Sequence, residues 1–171
     1  MKGPIVLVGL MGSGKTSVGA ALARRLGWPQ VDLDAELERR WGLSVAQQFA
    51  QRGEAEFRRR EAVELRRCLK PGRVISTGGG VVLRPESRRR LKASLTVYLQ
   101  ASPLALARRL RGTQARKRPL LKGRSPLAVL RLLRAQRGKW YAAVAQLTVR
   151  AALGDADAVA RRVLGRCKEL C

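Results

Sequence analysis

The chain opens on an apolar run, Ile5 to Val8, that passes directly into Gly9-Leu-Met-Gly-Ser-Gly-Lys-Thr16 and then into a helix-like stretch from Thr16 to Leu26. The octapeptide fits G-x-x-x-x-G-K-[ST], and a strand before it with a helix after it is the context that pattern requires. Glycines allow backbone conformations closed to other residues, so successive N–H groups can turn inward around an anion. The helix that follows aims its positive end at the same point. In that geometry Lys15 reaches the β- and γ-phosphates of a nucleotide, and the Thr16 hydroxyl ligates the Mg²⁺ that bridges them. Gly12, Ser13, Gly14 and Ser17 complete the expected phosphate-binding set. A glycine turn that merely joins strand to helix is the plainer alternative, and it has no use for Lys15 or Thr16.

Further short apolar runs, at Val31–Leu33, Val74–Ser76, Leu95–Leu99 and Leu147–Val149, alternate with helix-like segments. Those segments are Ala35–Trp41, about Ser44–Leu69, Pro85–Leu91, Pro103–Leu110, Pro126–Val144 and a last one from Asp155 onward. Such alternation predicts an α/β fold in three layers, α/β/α, around a central parallel sheet of about five strands. At 171 residues, 46% of them hydrophobic, the chain is expected to form a single domain over residues 1–171. Ligands in such sheets sit at the carboxyl ends of the strands.

Those ends carry chemistry. The second strand closes with Val31-Asp32-Leu33-Asp34, where alternation would aim both carboxylates the same way. One would hold the metal's hydration shell, and the other would grip or deprotonate an acceptor hydroxyl. Alternatively Asp34 simply caps the next helix. The third strand ends in Ser76-Thr77-Gly78-Gly79-Gly80, a glycine run that lets a ligand lie against backbone N–H groups, with Ser76 or Thr77 in reach of the metal's water shell. Gly53-Glu-Ala-Glu-Phe-Arg58 opens a helix with an acidic first turn, and its Arg58 would suit a two-pronged contact to a carboxylate, although local pattern does not separate it from Arg59 and Arg60. The polar, basic segment at about residues 112–124 has the character of a lid that closes over a nucleotide and delivers a cation to the transferring phosphoryl group. A solvated basic loop is the alternative there.

Composition narrows the classes. There is no histidine, so any general base is a carboxylate or another group. Three cysteines without C-x-x-C spacing argue against a disulfide framework or a structural zinc site. No stretch approaches the roughly 20 apolar residues of a membrane span, and the first residues read as a strand and not as a signal peptide, so a cytoplasmic location is expected. The formal charge of +24 raises nucleic acid as a partner. Its arginines are spread along helix-like segments, and aromatics make up 4% of the chain, which suits solvated helix faces better than a base-stacking platform. Nucleic acid is therefore not the expected partner.

The ordered set GLMGSGKTSVG, VDLD, GLSVAQQFAQRGEAEFRRRE, VISTGGG, KRPLL and RGKWY resembles the shikimate kinases, over about Ile5 to Tyr141. The resemblance implies transfer of the γ-phosphate of ATP to the 3-hydroxyl of shikimate, with Mg²⁺, by an enzyme expected to act as a monomer. It implies that Lys15, Asp34 and Arg118 are catalytic and that Thr16 and Asp32 serve the metal. Asp34, Arg58, Gly78, Gly79, Gly80 and Arg137 would bind shikimate, within a substrate-binding helical region at about residues 34–61 and beyond it. Arg118 becomes the lid arginine, and Arg111 the arginine packed on adenine, with Arg109 as its competitor. Two rivals share features with this reading. A gluconate kinase would share the glycine loop and lid, and a non-catalytic ATP-sensing or nucleic-acid-binding module would account for the charge.

Overall fold

The structure is a computed structural model that describes residues 3–110, 121, 123–151 and 155–168. Five strands, β1 (Ile5–Val8), β2 (Gln30–Asp32), β3 (Val74–Ser76), β4 (Leu95–Gln100) and β5 (Leu147–Arg150), form one sheet in the order β2-β3-β1-β4-β5. Every pairing is parallel, with Ile5 opposite both Val74 and Leu95, Gln30 opposite Val74, and Val97 opposite Leu147. β1 is the central strand and all four of its residues are buried, as a strand covered on both faces requires.

Alternation along β1 divides the interior. Ile5 and Leu7 face α1 (Lys15–Leu26) and α7 (Ala156–Lys168), packing with Val18, Leu22, Val97, Leu99 and Val163. Val6 and Val8 face the opposite layer, where Leu33 and Leu37 of α2 (Leu33–Trp41), Phe57 and Leu65 of α3 (Val45–Cys68) and Leu91 of α4 (Pro85–Lys92) cover the sheet. Leu106 of α5 (Pro103–Arg109) and Leu130, Tyr141 and Val144 of α6 (Pro126–Val144) complete that layer. Arg24 and Arg25 of α1 reach Asp157 of α7 at 2.9 and 3.2 Å and tie the first layer along its outer side.

One boundary differs from the sequence reading. β2 stops at Asp32, whose side chain accepts from the N–H groups of Asp34 and Ala35 and so starts α2 one residue after the strand. Asp34 is therefore a first-turn helical residue and Asp32 is the cap, because a buried helix start needs an acceptor for its orphan N–H groups. The long helix breaks at Gly53, whose φ of 75° and ψ of 167° no helix accommodates. Its first part is held by a capping box between Ser44 and Gln47. Among the described residues, no helix is long and apolar enough to cross a membrane. Cys68 and Cys167 are buried.

Candidate active site

The strand order reverses at β1, and the loop leaving that strand opens a cleft of about 460 Å³. The cleft is lined by residues 11–18, Asp32, Asp34, residues 77–79, Arg109 and Ala151, with Leu110 and the start of α7. Gly12, Ser13, Gly14, Lys15, Thr16 and Ser17 thus surround one concavity, as their spacing led us to expect. Gly14 is the residue before α1 and has a φ of 87°, a left-handed turn that lets the chain enter the helix with its N–H groups facing the cleft. The Lys15 ammonium donates to the carbonyls of Gly9 and Leu10 at 3.0 and 2.9 Å, arching over the loop that it would share with an anion. Arg109, from the end of α5, donates to the carbonyl of Gly12 at 3.2 Å and to that of Ala151 at 3.5 Å.

Asp32 connects the loop to the opposite layer. Its Oδ2 accepts from the Thr16 hydroxyl at 3.1 Å while its Oδ1 caps α2. Asp34 follows in the first turn of α2, and its pKa is pushed up by burial and by the charge of Asp32, against the opposing pull of Lys15 and Arg58. A carboxylate made more basic in this way is suited to accept a proton.

The other end of the site is built around the glycine run. A Cβ at Gly78 would stand 2.8 Å from Oδ1 of Asp34 and 3.1 Å from Oε1 of Glu61. At Gly80 it would stand 2.1 Å from Cζ of Arg58, so the guanidinium lies flat where any side chain would be. Arg58 is buried, paired with Glu61 at 2.8 Å and Glu54 at 3.3 Å, and rests against the rings of Phe49 and Phe57 at 5.4 and 5.1 Å. Arg137 of α6 donates to the carbonyl of Gly79 at 3.1 Å, and Tyr141, four residues on and on the same face, donates to that carbonyl as well. Arg137 Nε and Glu61 Oε1 are buried with no hydrogen-bond partner among the described residues. Buried polar atoms of this kind can each take a further hydrogen bond. Arg58, Gly80 and Arg137 gather around the glycines at the end of the cleft lining and do not themselves line it.

Sequence reasoning missed Glu61. It is 1% exposed, and burial carries its pKa up to about 7 against the charge and hydrogen bond of Arg58. The signal was present in the i, i+3 spacing of Arg58 and Glu61 on a helix. Ser76 and Thr77, expected near a metal's water shell, turn their hydroxyls elsewhere. Ser76 donates to the carbonyl of Lys15 at 3.0 Å and Thr77 to that of Leu7 at 2.8 Å. Arg111, Arg118 and most of the expected lid lie outside the described residues.

A glycine loop on the central strand of a 2-3-1-4-5 parallel sheet, with lysine, threonine and two aspartates at its mouth, defines a P-loop phosphate-binding protein. The shikimate kinase family model matches residues 11–168, and the chain belongs to that family. A shikimate kinase from Symbiobacterium thermophilum is 50% identical over 147 residues, 85% of this chain and 84% of the relative. Another, from Bordetella pertussis, is 46% identical over 148 residues, covering 85% and 69%. The solved structure of a shikimate kinase from Acinetobacter baumannii in complex with shikimate superposes with a TM-score of 0.93 at 34% identity, covering 99% of this chain and 95% of that one. A gluconokinase from Sinorhizobium meliloti 1021 superposes with a TM-score of 0.55 at 23% identity, which shows the shared fold alone.

Proposed function

We propose that this protein transfers the γ-phosphoryl group of ATP to the 3-hydroxyl of shikimate, acting as a single-domain, monomeric cytoplasmic enzyme. One observation carries the reading: Asp34 and the arginines Arg58 and Arg137 converge on Gly78–Gly80 at the mouth of the phosphate loop. Shikimate is a hydroxylated monocarboxylate, so its site needs cations at one end and a hydroxyl-orienting carboxylate at the other. Two guanidiniums offer the acceptor's carboxylate planar, paired donors. Asp34 faces the hydroxyls and takes the proton of the attacking one as its oxygen bonds to the γ-phosphorus and the bond to the β-bridging oxygen breaks.

On the nucleotide side Lys15 draws charge from the β- and γ-phosphates, and the loop N–H groups bind their oxygens. Thr16 and Asp32 fit a hard cation, since a hydroxyl and a carboxylate meet within 3.1 Å. Mg²⁺ bound there would neutralise charge between the β- and γ-phosphates. Arg118 would bring a further cation from the segment at 112–124, and Arg111 would pack on adenine.

ADP release with Mg²⁺ and ATP, compared among shikimate, gluconate, an unrelated sugar alcohol and no acceptor, tests the proposal. Release dependent on shikimate alone is expected. Release with gluconate, or with no dependence on any acceptor, would overturn the acceptor assignment.

A further inference from the structure

The first turn of α1 is gripped from the sheet side by two residues with no place yet in the reaction. Gln30, which opens β2, donates through Nε2 to the carbonyl of Thr16 at 2.7 Å and to Oγ of Ser76 at 3.3 Å. The Ser76 hydroxyl, at the end of β3, donates onward to the carbonyl of Lys15 at 3.0 Å. The protons are consistent throughout: the amide NH₂ directs one hydrogen to each acceptor, and the hydroxyl accepts one bond and donates one.

The sheet register sets this grip. Gln30 and Asp32 are two residues apart and share a face of β2, and Asp32 stands opposite Ser76 in the parallel pairing. β2 therefore holds Thr16 twice, at its carbonyl through Gln30 and at its hydroxyl through Asp32. Gly19 makes the room, because a Cβ there would stand 2.6 Å from Ser76 Oγ and 2.7 Å from Gln30 Nε2. Within a helix each carbonyl is bonded by the N–H four residues on, which sets the helix itself but not its rotation relative to a neighbouring sheet. A second donor reaching the same carbonyls from two strands supplies that setting.

We propose that Gln30 and Ser76 are positioning residues for phosphoryl transfer. Together they lock the turn that carries Lys15 and Thr16, so that the ammonium is held for the nucleotide phosphates and the hydroxyl for the cation beside them. The inference rests on the ATP-dependent reading above and deepens its nucleotide side. Displacements of about 1 Å at such groups are enough to cost rate.

Gln30→Leu keeps the size of the side chain and removes both donors. MgADP affinity by calorimetry, kcat, the KM for MgATP and for shikimate, and the thermal midpoint are measured together. We expect MgADP binding to weaken and the KM for MgATP to rise by about five- to tenfold, the scale of one or two net hydrogen bonds. The kcat should fall, and the shikimate KM should stay within about twofold. The effect of Ser76→Ala should be smaller, with the same split, and the double variant should fall short of additivity because both residues act through one clamp. Ser76→Ala decides the matter alone if the leucine variant does not fold. A lowered midpoint with unchanged MgADP affinity, KM and kcat would reduce the clamp to ordinary packing and overturn the proposal, as would equal weakening of both substrates. A wild-type protein that binds MgADP yet ignores shikimate would sink the acceptor reading, while weaker MgADP binding by Gln30→Leu would still support the clamp.

Discussion

Asp34 is one of the few acidic groups in a strongly basic molecule whose charge is disfavoured by its surroundings, through burial and the neighbouring Asp32. Asp34→Asn keeps the shape and removes the proposed base, so kcat should fall by about 10²–10⁴-fold, the usual scale of general-base catalysis. Nucleotide affinity, read by calorimetry, should be retained. An unchanged rate would show that the acceptor hydroxyl lies elsewhere. Arg137 differs in kind, because the proposal gives its guanidinium a part in binding and not in proton transfer. Arg137→Ala should raise the KM for shikimate by at least about tenfold, roughly one charge-assisted hydrogen bond, and leave the KM for ATP nearly unchanged. Equal loss on both substrates would undo the carboxylate clamp. At this scale much of the site was legible: Lys15 and Thr16 follow from the loop pattern, and Asp32 and Asp34 from their place behind a strand. Glu61 was only half legible, because its i, i+3 spacing from Arg58 marks a helical pair while its burial against Gly78 is not written into local spacing.

At the scale of elements, the break in α3 matters most. Gly53 separates the segment capped by Ser44 from the helix that bears Arg58 and Glu61, so it sets the angle at which Phe49 meets Phe57 beneath the Arg58 guanidinium. Its φ of 75° and ψ of 167° belong to a region open essentially to glycine alone, and nothing stands within 4 Å of a Cβ added there. Gly53→Ala should therefore destabilise by about 1–3 kcal/mol through backbone strain alone. Urea unfolding of the variant checks the value, and a loss below about 0.5 kcal/mol would mean that the chain relaxes without strain. In the sequence residues 44–69 read as one long segment within which Gly53 opens a helix with an acidic first turn, and a single glycine does not by itself fix how sharply the chain breaks there. The end of β2 was misread for a related reason. Val31-Asp-Leu-Asp34 alternates like a strand, but the N–H groups of Asp34 and Ala35 find their acceptor in the Asp32 side chain, and helix begins there.

For the whole molecule, Glu61 links the site to stability. Its pKa rises from 4.5 in the open chain to about 7 in the fold, so between these values the folded state keeps a proton that the unfolded state has lost. Glu61 therefore favours folding least once pH has passed about 7, and stability should fall as pH rises through that window. Glu61→Gln should flatten this part of the profile, measured as denaturant midpoints at pH 5 and pH 7.5 in both proteins. An identical slope in the variant would assign the pH dependence to other groups. The sequence by itself determined the class of fold, because hydrophobic runs alternating with helical periodicity and punctuated by a glycine loop admit few arrangements other than a parallel sheet covered on both faces. It also determined the phosphate loop, whose function resides in contiguous backbone. Only the tertiary structure decided the strand order that opens the cleft beside β1, the burial that shifts Asp34 and Glu61, and the approach of Arg58 to Gly80 and of Gln30 to Thr16. Those features depend on residues far apart in the chain meeting in a medium that penalises unpaired charge, and neither the meeting nor the penalty can be read from local sequence.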